Sequence, residues 1–597
     1  MHVPSSEYAP CKIRRYCIRT LLTLPCGFNF LLIKTDMRNC LALPCGKGIS
    51  RKDQSRPIDN TFKLPAPTPV WPPGDGFASG IINLGELQVA QISTFNQVWT
   101  SYEGGPDNLG ATIFEPTGLP EGFSMLGYYS HPNNKPLSGW VLVAQANSST
   151  STSNPALKEP LDYNLIWSTK SLQIDQNSSA YFWLPNPPDG YKAVGHVVTT
   201  IPDKPSLDKI RCVRSDLTDQ IETHTWIWGP RKSNDSNEFN LYETRPSNRG
   251  TQAQGILVGT FLAQNGGNTS ALAISCFKNT NINLTSMPNL QQIQAIVHAY
   301  SPIMYLHPKE QYLPSSVNWF FTNGGLLYKK GDESQPAPIQ PNGTNLPQDP
   351  NNDGSSWLDL PADRDNKERV KRGDLQSSRV YLHIKPMFGG TFTDIACWVY
   401  YPFNGPARAK VEFIPISLGK IGQHVGDWEH VTLRVSNFNG ELKKVYFSQH
   451  SGGTWVDSFD LEFKNGNKPV VYSSLHGHAF YPKPGLNPQG TNSVGLRNDT
   501  AESNMVVDMG TGYEVVSAEY LGLEIVEPPW LNYYREWGPK IRYDIAEKLE
   551  KMEKYLPMKL KKLLEKLVRS LPNELLGEEG PTGPKVKSNW NGDEVVR

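Results

Sequence analysis

The residues with the clearest capacity for chemistry lie in one short stretch, from His424 to Glu429. If a strand begins near Asp427, the two-residue period of strands places Asp427 and Glu429 on one face. His424 precedes them in a loop whose glycines allow it to fold back toward the carboxylates. Two carboxylates and one imidazole favour Mg, Ca or Mn over a structural zinc. The pattern predicts a divalent-cation site. The alternative is that His424 caps a turn and both carboxylates face water.

More polar residues follow this stretch along the chain. Five of the twelve histidines fall between residues 424 and 478. His476 and His478 share a face if they lie in a strand. Each histidine alone is more often a hydrogen-bonded core residue, but together they indicate a polar site. The additional candidates for that site are His450, His476, His478 and Asp457.

The elements that must position these side chains are β-strands. Residues 393–401 and 431–435 are strongly strand-like, and the candidate stretch ends the loop between them. A short helix is expected after Pro288, because apolar residues recur there at helical spacing from Leu290 to Tyr300. We assign residues 289–540 to a β-sandwich domain that carries the site.

Residues 57–288 form a second β-rich region with an internal repeat. Residues 95–99 match 163–167, 120–123 match 188–191, and 126–128 match 194–196, each at an offset of 68 residues. Matches that keep their order at one offset indicate a duplication. A third, weaker unit runs from Phe239 to Gly259. Short apolar runs between Pro and Gly turns are typical of antiparallel sheets, so we expect a β-prism-like body or a duplicated sandwich.

Residues 541–597 are assigned to an amphipathic helix and a tail. From Asp544 to Leu571, leucines share one side of the predicted helix and basic residues occupy much of the other. Pro557 should kink or restart this helix. The simpler interpretation is a helix that packs across its own domain. The alternative is a basic amphipathic helix that lies on an anionic membrane.

Residues 1–56 are assigned as a poorly ordered or wrongly predicted N-terminus, with Met37 as an alternative start. Five of the eight cysteines lie there, and the other three are far apart, so no disulfide framework is expected. This cysteine usage indicates a reducing compartment, the cytoplasm. The formal net charge of zero gives no reason to expect a nucleic-acid partner.

Common catalytic motifs are absent from the sequence. It contains no GxSxG, Walker A, Rossmann or HExxH pattern. Cys397 lies within an apolar strand and is expected to be buried rather than nucleophilic. The sequence therefore favours recognition over catalysis.

Five unusual strings are spread over most of the chain, at residues 62–65, 71–80, 312–320, 426–430 and 578–584. Together they resemble the plant vacuolar protein sorting-associated protein 62 family, and the resemblance runs from Phe62 to about Glu594. The family name implies a role in delivering proteins to the vacuole. It also implies trafficking proteins as partners and a peripheral position on endomembranes, with secretion as the alternative.

An aromatic-rich strand followed by the His424-to-Glu429 stretch is similar to the Nep1-like necrosis-inducing toxins. This resemblance implies a two-sheet sandwich in which His424, Asp427 and Glu429 hold Ca or Mg. It also implies binding of sphingolipid head groups at plant membranes. The chain departs from the toxin pattern twice, because Gly426 replaces a second histidine and Asn404 replaces an upstream aspartate. Both departures weaken the expectation of a metal.

Three functions are consistent with these patterns. The favoured one is a non-enzymatic recognition or trafficking protein that binds membrane lipid or glycan head groups through a divalent metal. The second is a metal-dependent hydrolase, a phosphoesterase or glycan-acting enzyme, in which the metal activates water and His450 or His478 is the base. The third is a structural interaction protein without a metal.

Overall fold

A computed structural model describes residues 55–147, 154–230, 239–266, 272–281, 283–412, 414–490, 494–541, 557–569, 571 and 580–596. The predictions for residues 1–54, including Met37 and the five N-terminal cysteines, lie outside these ranges. Residues 55–597 form one compact unit, and its regular structure is mainly β. Among the described residues, no helix has the length and apolar character needed to span a membrane.

In the residues that the structure describes, the N-terminal part of the unit contains eighteen short strands, and we call this set of strands the repeat body. All of its strand pairs are antiparallel. The strands are β1 (Ile81–Asn83), β2 (Leu87–Ile92), β3 (Phe95–Thr100), β4 (Ala111–Pro116), β5 (Tyr129–Pro132), β6 (Val141–Ala146), β7 (Leu157–Lys158), β8 (Asp162–Ser168), β9 (Tyr181–Asn186), β10 (Tyr191–Lys192), β11 (Val197–Thr199), β12 (Cys212–Arg214), β13 (Thr218–Asp219), β14 (Ile221–Trp228), β15 (Phe239–Pro246), β16 (Gly255–Ile256), β17 (Phe261–Asn265) and β18 (Cys276–Lys278).

Three units of six strands repeat along this body. Each unit has one three-stranded sheet of the same order, β3-β4-β5, β8-β9-β11 or β14-β15-β17. Each also has a second small sheet, β1-β2-β6, β7-β12-β10 or β13-β18-β16. In the sheets β3-β4-β5, β8-β9-β11 and β14-β15-β17, the first strand has a register shift just before the equivalent tryptophan of its unit. The shifts lie between residues 97 and 99, 165 and 167, and 226 and 228. The third unit predicted beside the duplication is therefore present, and it begins at Thr218 rather than Phe239.

The equivalent tryptophans of the three units meet in a common aromatic core. The rings of Trp99 and Trp228 are 5.1 Å apart, and those of Trp167 and Trp228 are 6.1 Å apart. The indole of Trp99 donates to the second unit at Gln176 Oε1, at 3.0 Å. Trp167 stacks at 4.0 Å on Phe239 of the third unit. Trp228 donates to the first unit at the Glu103 carbonyl, at 2.9 Å, which closes a ring of contacts.

The C-terminal part is the predicted β-sandwich, with helices at its borders. Its helices are α1 (Leu290–Tyr300), α2 (Val317–Thr322), α3 (Arg364–Lys371) and α4 (Met558–Arg569). Its strands are β19 (Ile303–Tyr305), β20 (Leu326–Lys329), β21 (Ala337–Pro338), β22 (Ser356–Asp359), β23 (Val380–Met387), β24 (Phe392–Asn404), β25 (Arg408–Val411), β26 (Ile414–Ser417), β27 (His424–Ser436), β28 (Leu442–Gln449), β29 (Gly452–Asp457), β30 (Phe463–Lys464), β31 (Lys468–Ser473), β32 (Phe480–Tyr481), β33 (Gly485–Gly490), β34 (Val494–Thr500), β35 (Val506–Asp508) and β36 (Tyr513–Ser517).

A six-stranded sheet of order β29-β28-β27-β24-β23-β36 is the centre of the sandwich. Its middle strand β24 is buried along its whole length, which explains the unbroken apolar and aromatic sequence from Ile395 to Phe403. One face packs on α1 and on the sheet of β30, β31, β19 and β35, in a core that includes Val399, Tyr401 and Val431. The other face packs on α2 and on an aromatic cluster that includes Trp428 and Trp537.

The predicted helix after Pro288 is confirmed as α1. The Asn289 side chain accepts from the Gln292 backbone N–H, and the Gln292 side chain accepts from the Asn289 N–H, which is a capping box. Ile293, Ile296 and Tyr300 enter the first core of the sandwich. The apolar spacing seen in the sequence therefore marks the face that is buried.

The described part of the C-terminal helix is α4, which begins just after Pro557. Its apolar side, which includes Leu564, Leu567 and Val568, packs against β25 and β34 through Val411 and Leu496. The interpretation of a helix packed across its own domain is confirmed for these residues. Residues 544–556 of the predicted helix lie outside the described ranges.

The repeat body and the sandwich share an extensive border. Trp140 lies 5.7 Å from Phe392 between ring centroids, and Ser436 donates to Gln91 at 2.8 Å. Phe77, which lies before the first strand, is part of the sandwich core. The described cysteines, Cys212, Cys276 and Cys397, are buried thiols outside any disulfide.

Candidate functional site

The candidate stretch lies where the central sheet opens. Strands β27 and β28 pair from Val435 only as far as Val431, which faces Phe447. Beyond that pair, the Ser448 hydroxyl accepts the backbone N–H of His430 at 3.1 Å, so a side chain replaces the strand ladder. A cleft of about 310 Å³ occupies this opening. Its lining includes Asn404, His424, Asp427, Glu429, His430, Ser448, His450, Lys587, Asn589 and Glu594.

Asp427 is held in the cleft by a buried histidine. His478 Nδ1 lies 2.8 Å from Asp427 Oδ2, and His478 Nε2 lies 3.1 Å from the Tyr312 carbonyl. The His478 ring stacks on Tyr401 at 3.8 Å. Burial acts to raise the pKa of Asp427, but the hydrogen bond from His478 and the charges of His424, His478 and Lys587 outweigh it. The pKa of Asp427 therefore lies below its usual value, and the carboxylate is charged at neutral pH.

Glu429 lies on the same face of β27 as Asp427, as the two-residue period predicts. Both alternate with Trp428, which packs into the aromatic cluster on the opposite face. The carboxylate of Glu429 accepts a short hydrogen bond from Ser448 Oγ, in the gap between β27 and β28. Two carboxylates thus line one cleft from neighbouring positions of one face.

His424 begins β27 and faces Asn404 across the strand pair. Its Nδ1 lies 3.0 Å from the Gly426 carbonyl, which is a local turn contact. Gly426 itself has φ of +71°, and a Cβ there would lie 2.5 Å from the Trp537 carbonyl. A histidine cannot occupy this position without moving the aromatic cluster. The departure from the toxin pattern at Gly426 thus has a packing cause.

The C-terminal segment forms the opposite wall of the cleft. Glu594 is buried and accepts from Thr432 Oγ1 at 2.6 Å and from Asn589 Nδ2 at 2.8 Å. Its Oε2 also lies 3.0 Å from His430 Nε2. Burial acts to raise the pKa of Glu594, but the charges of Lys385 and His430 and these hydrogen bonds bring it far below the usual range. A buried anion therefore fixes the segment against β27.

His476 lies in a turn and His478 directly follows it, so the expectation that they share a strand face is wrong. Both have left-handed backbones, with φ of +71° and +55°, and His450 has φ of +61°. His476 donates its N–H to Glu310 Oε2 at 2.6 Å, and its ring Nδ1 lies 3.3 Å from Glu310 Oε1. Non-glycine residues in this conformation are strained, and such strain is concentrated at functional sites.

The other predicted residues divide between the cleft and the domain border. Asn404 and His450 line the cleft, where His450 Nε2 lies 3.2 Å from Asn498 Oδ1. Asp457 does not line it and instead pairs with Lys444 at 3.0 Å and with Lys135 of the repeat body at 3.5 Å. Asp457 is therefore a residue of the border between the two parts of the molecule.

The donor set does not form a ready cation site. Asp427 already bonds to His478, Glu429 to Ser448, and the His424 Nδ1 faces a carbonyl. Within the described ranges, no three His, Cys, Asp or Glu side chains are arranged to hold a metal ion. A bound Ca or Mg is a prediction from the sequence that this arrangement does not favour, because the side chains that would hold the ion already bond to protein partners.

Sequence reasoning missed the residues that complete the site from far along the chain. Glu310 supports the histidine turn from 166 residues away, and Glu594 reaches His430 across 164 residues. Ser448 and Lys587 were also not singled out. None of these positions lies in a pattern with chemical meaning, and their role exists only once the chain has folded.

Comparison with known proteins gives an extensive family match. The family model described as "Vacuolar protein sorting-associated protein 62" matches residues 58–594. A Saccharomyces cerevisiae protein of that name is 31% identical over 111 residues, which are 16% of this chain and 22% of the yeast protein. The match thus spans about a fifth of the yeast relative.

Solved structures give weaker similarities to part of the chain. GNIP1Aa from Chromobacterium piscinae is 15% identical, with a TM-score of 0.25 over 35% of this chain and 40% of its own. NLPPya in complex with glucosamine is 13% identical, with a TM-score of 0.18 over 36% of this chain and 76% of its own. A necrosis- and ethylene-inducing protein from the agent of cocoa's Witches Broom disease is 10% identical, with a TM-score of 0.18, and covers 32% and 67%.

The family match covers almost all of the repeat body, the sandwich and the C-terminal wall of the cleft. It includes Asp427 and Glu429, and it ends at Glu594, the residue that anchors that wall. The chain belongs to the vacuolar protein sorting-associated protein 62 family.

Proposed function

We propose that this protein is a non-enzymatic recognition protein whose cleft binds a hydroxylated or amino-sugar head group of a glycan or lipid. The observation that carries the proposal is the lining of the cleft. Two carboxylates, Asp427 and Glu429, line one small cavity whose wall is anchored by a third, the buried Glu594, and Lys587 is the one Lys or Arg side chain among the lining residues. Its volume of about 310 Å³ is at the lower end of small-molecule sites, which run from roughly 300 to 1,000 Å³.

The chemistry of the lining suits a polyol or an amine. Carboxylates accept hydrogen bonds from hydroxyl and ammonium groups, and a bond to a charged group is stronger than a neutral one. Trp398 and Tyr446 border the same cavity as buried rings that stack on His430 at 4.2 and 5.5 Å, and this packing holds the imidazole at the cavity wall. The strand pair and the His478 contact hold Asp427 in place before a ligand arrives.

A role in sorting proteins toward the vacuole is supported by family membership. We propose that the protein acts at an endomembrane surface and that its partners are head groups of membrane lipids or glycans and other trafficking proteins. Binding of a head group in the cleft would then select the membrane at which the protein acts or the cargo that it sorts.

Calorimetric titration of the full chain with glucosamine, mannosamine and glucose tests the proposal. The two amino sugars are those bound in two of the NLPPya structures. We expect both amino sugars to bind more tightly than glucose, because their ammonium group can pair with the carboxylates. Asp427→Asn should weaken amino-sugar binding about tenfold or more, since a hydrogen bond to a charged group contributes roughly 1.5–3 kcal/mol. Asp189→Asn, an exposed change in the repeat body, is the matched control.

Repeating the titration with EDTA and with added Ca²⁺ or Mg²⁺ tests the cation predicted from the sequence. We expect no dependence on these ions, because the carboxylates already have protein partners. Loss of binding in EDTA would instead support a metal-dependent site. Absence of sugar binding in all conditions contradicts the proposal. Turnover of generic phosphate esters or glycosides would favour the hydrolase.

A further inference from the structure

A group of elements rich in basic residues, which we call the basic lobe, adjoins the cleft. It consists of the sheet β26-β25-β34-β33 and helix α4, from residues 405–423, 482–500 and 557–569. The described residues of these segments carry ten basic and three acidic side chains, although the whole chain has a net charge of zero. The basic residues are Arg408, Lys410, Lys420, Lys483, Arg497, Lys559, Lys561, Lys562, Lys566 and Arg569, and the acidic ones are Glu412, Asp499 and Glu565.

Packing fixes which side of α4 faces outward. Leu564, Leu567 and Val568 are buried against the sheet, so the helix cannot turn its apolar side to a membrane. The opposite side exposes Lys559, Lys562, Lys566 and Arg569, at positions three or four residues apart. This spacing places all four on one stripe of the helix surface. Helix α4 therefore cannot bind a membrane by inserting its apolar side. The cationic side of the helix faces solvent.

The lobe is joined directly to the cleft. The hairpin of β25 and β26 is the insertion between Asn404 and His424, both of which line the cleft. Strand β34 carries Asn498, the partner of His450, and the Asp499 carbonyl accepts the Leu475 N–H at 2.9 Å beside the histidine turn. A surface that contacts the lobe therefore lies next to the mouth of the cleft.

We propose that the basic lobe is a docking surface for an anionic lipid bilayer and that it sets the cleft at the level of the lipid head groups. The proposal deepens the proposed function, because it assigns the cleft ligand to a membrane. Lysines predominate over arginines and are spread across a helix and a sheet, an arrangement that suits diffuse attraction to many head groups rather than bidentate capture of one phosphate. Exposed Ile414 and Leu486 on the two edge strands add apolar contact at the same lobe.

Vesicle sedimentation of the full chain tests the lobe. The vesicles contain phosphatidylcholine alone or phosphatidylcholine with about one third phosphatidylserine. We expect binding to the anionic vesicles only, and weaker binding at higher salt, because the charges are exposed. Lys562→Gln with Lys566→Gln should reduce partitioning about 30-fold, since each basic residue near an anionic surface contributes about a factor of five.

Two paired variants serve as controls. Lys562→Arg with Lys566→Arg keeps the charge and should bind as the wild type does. Lys170→Gln with Lys192→Gln removes two exposed charges from the repeat body and should also leave partitioning unchanged. Circular dichroism of the glutamine variant checks that α4 remains folded.

The lobe and the cleft can fail independently. The glutamine variant should titrate with glucosamine as the wild type does, whereas Asp427→Asn should lose sugar affinity but keep anionic-vesicle binding. Equal binding to neutral and anionic vesicles, no vesicle binding, or full binding by the glutamine variant would each overturn the proposal. Binding to heparin without binding to vesicles would also overturn it and assign the lobe to a soluble polyanion.

Discussion

At the residue scale, the site depends on a buried carboxylate that holds a strained turn. Glu310 accepts the backbone N–H groups of Gln311 and Tyr312 at 2.9 Å each, in addition to its two contacts with His476. The turn it supports places His478 against Asp427. One side chain thus connects the entry segment of the sandwich to the cleft.

We expect Glu310→Gln to destabilise the protein in a pH-dependent manner. Burial acts to raise the pKa of Glu310, but the hydrogen bond and charge of His476 and the charge of His478 lower it to about 2. In the unfolded chain the pKa is about 4.3. Because the folded pKa is the lower one, ionised Glu310 stabilises the fold above pH 4.3 or so, and this contribution is lost as the pH falls toward 2.

Urea unfolding of wild type and Glu310→Gln across this pH range measures the effect. The free energy of unfolding should differ by about 3 kcal/mol at neutral pH and converge near pH 2 or so. Glu121→Gln, at an exposed position of the repeat body, should show no such difference. If the difference in unfolding free energy between wild type and Glu310→Gln stays constant from neutral to acidic pH, the charge of Glu310 has no stabilising role.

At the element scale, strand β27 positions the site through both of its faces. Asp427 and Glu429 face the cleft, while His430, Thr432 and Arg434 face the C-terminal segment. Arg434 forms two bonds with Asp394, at 2.8 and 2.7 Å, and another with Asp593 at 2.7 Å. The polar residues on this second face of β27 thus bind the C-terminal segment through hydrogen bonds and ion pairs.

We expect Lys385 and Glu594 to be energetically coupled. Both side chains are fully buried, and Lys385 Nζ lies 3.5 Å from Glu594 Oε1. Glu594→Gln leaves the cation of Lys385 buried without its counter-charge, which should cost about 3–5 kcal/mol of unfolding free energy. Lys385→Met leaves the opposite charge and should cost a similar amount.

A double-mutant cycle measured by urea unfolding tests the pair. The double variant Lys385→Met with Glu594→Gln should lose less free energy than the two single variants together, because neither charge is then left alone. Strict additivity would show that the two groups stabilise the fold separately. Anchoring of the cleft wall would in that case depend on the other contacts of Glu594.

At the scale of the whole molecule, the three units of the repeat body close on one another. Gly127 and Gly195 approach so closely that a Cβ on Gly127 would lie 2.7 Å from the Gly195 Cα, and Thr260 of the third unit touches Gly195. The tryptophan contacts run from the first unit to the second, to the third and back to the first. A closed ring of this kind differs from an open repeat array, in which each unit contacts only its neighbours.

We expect Trp99→Ala and Trp228→Ala each to cost about 3–5 kcal/mol and to shift one cooperative transition. Both indoles are fully buried and bridge two units, so their loss should weaken the whole ring. Trp167→Ala should cost less, because Trp167 is only partly buried. Urea unfolding followed by tryptophan fluorescence and by far-UV circular dichroism measures both points. Two separated transitions would show that the units unfold independently.

Local patterns in the sequence were sufficient for several elements. The spacing of apolar residues predicted α1 and the buried side of α4, and strand periodicity placed Asp427 and Glu429 on one face, away from Trp428. The offset between the repeats revealed two of the three units. These features depend on neighbours a few residues apart or on copies of the same string, which a sequence displays directly.

Only the tertiary structure decided which side chains share the cleft. Ser448 of β28 and Lys587 and Glu594 of the C-terminal segment line it together with β27, and Glu310 supports the histidine turn that holds Asp427. Their meeting depends on how the strands, the turn and the C-terminal segment pack. Packing also separated Asp457 from the site and excluded a side chain at Gly426. The stretch from His424 to Glu429 carries its residue types in the sequence, but its hydrogen-bond partners come from long-range contacts that no local pattern specifies.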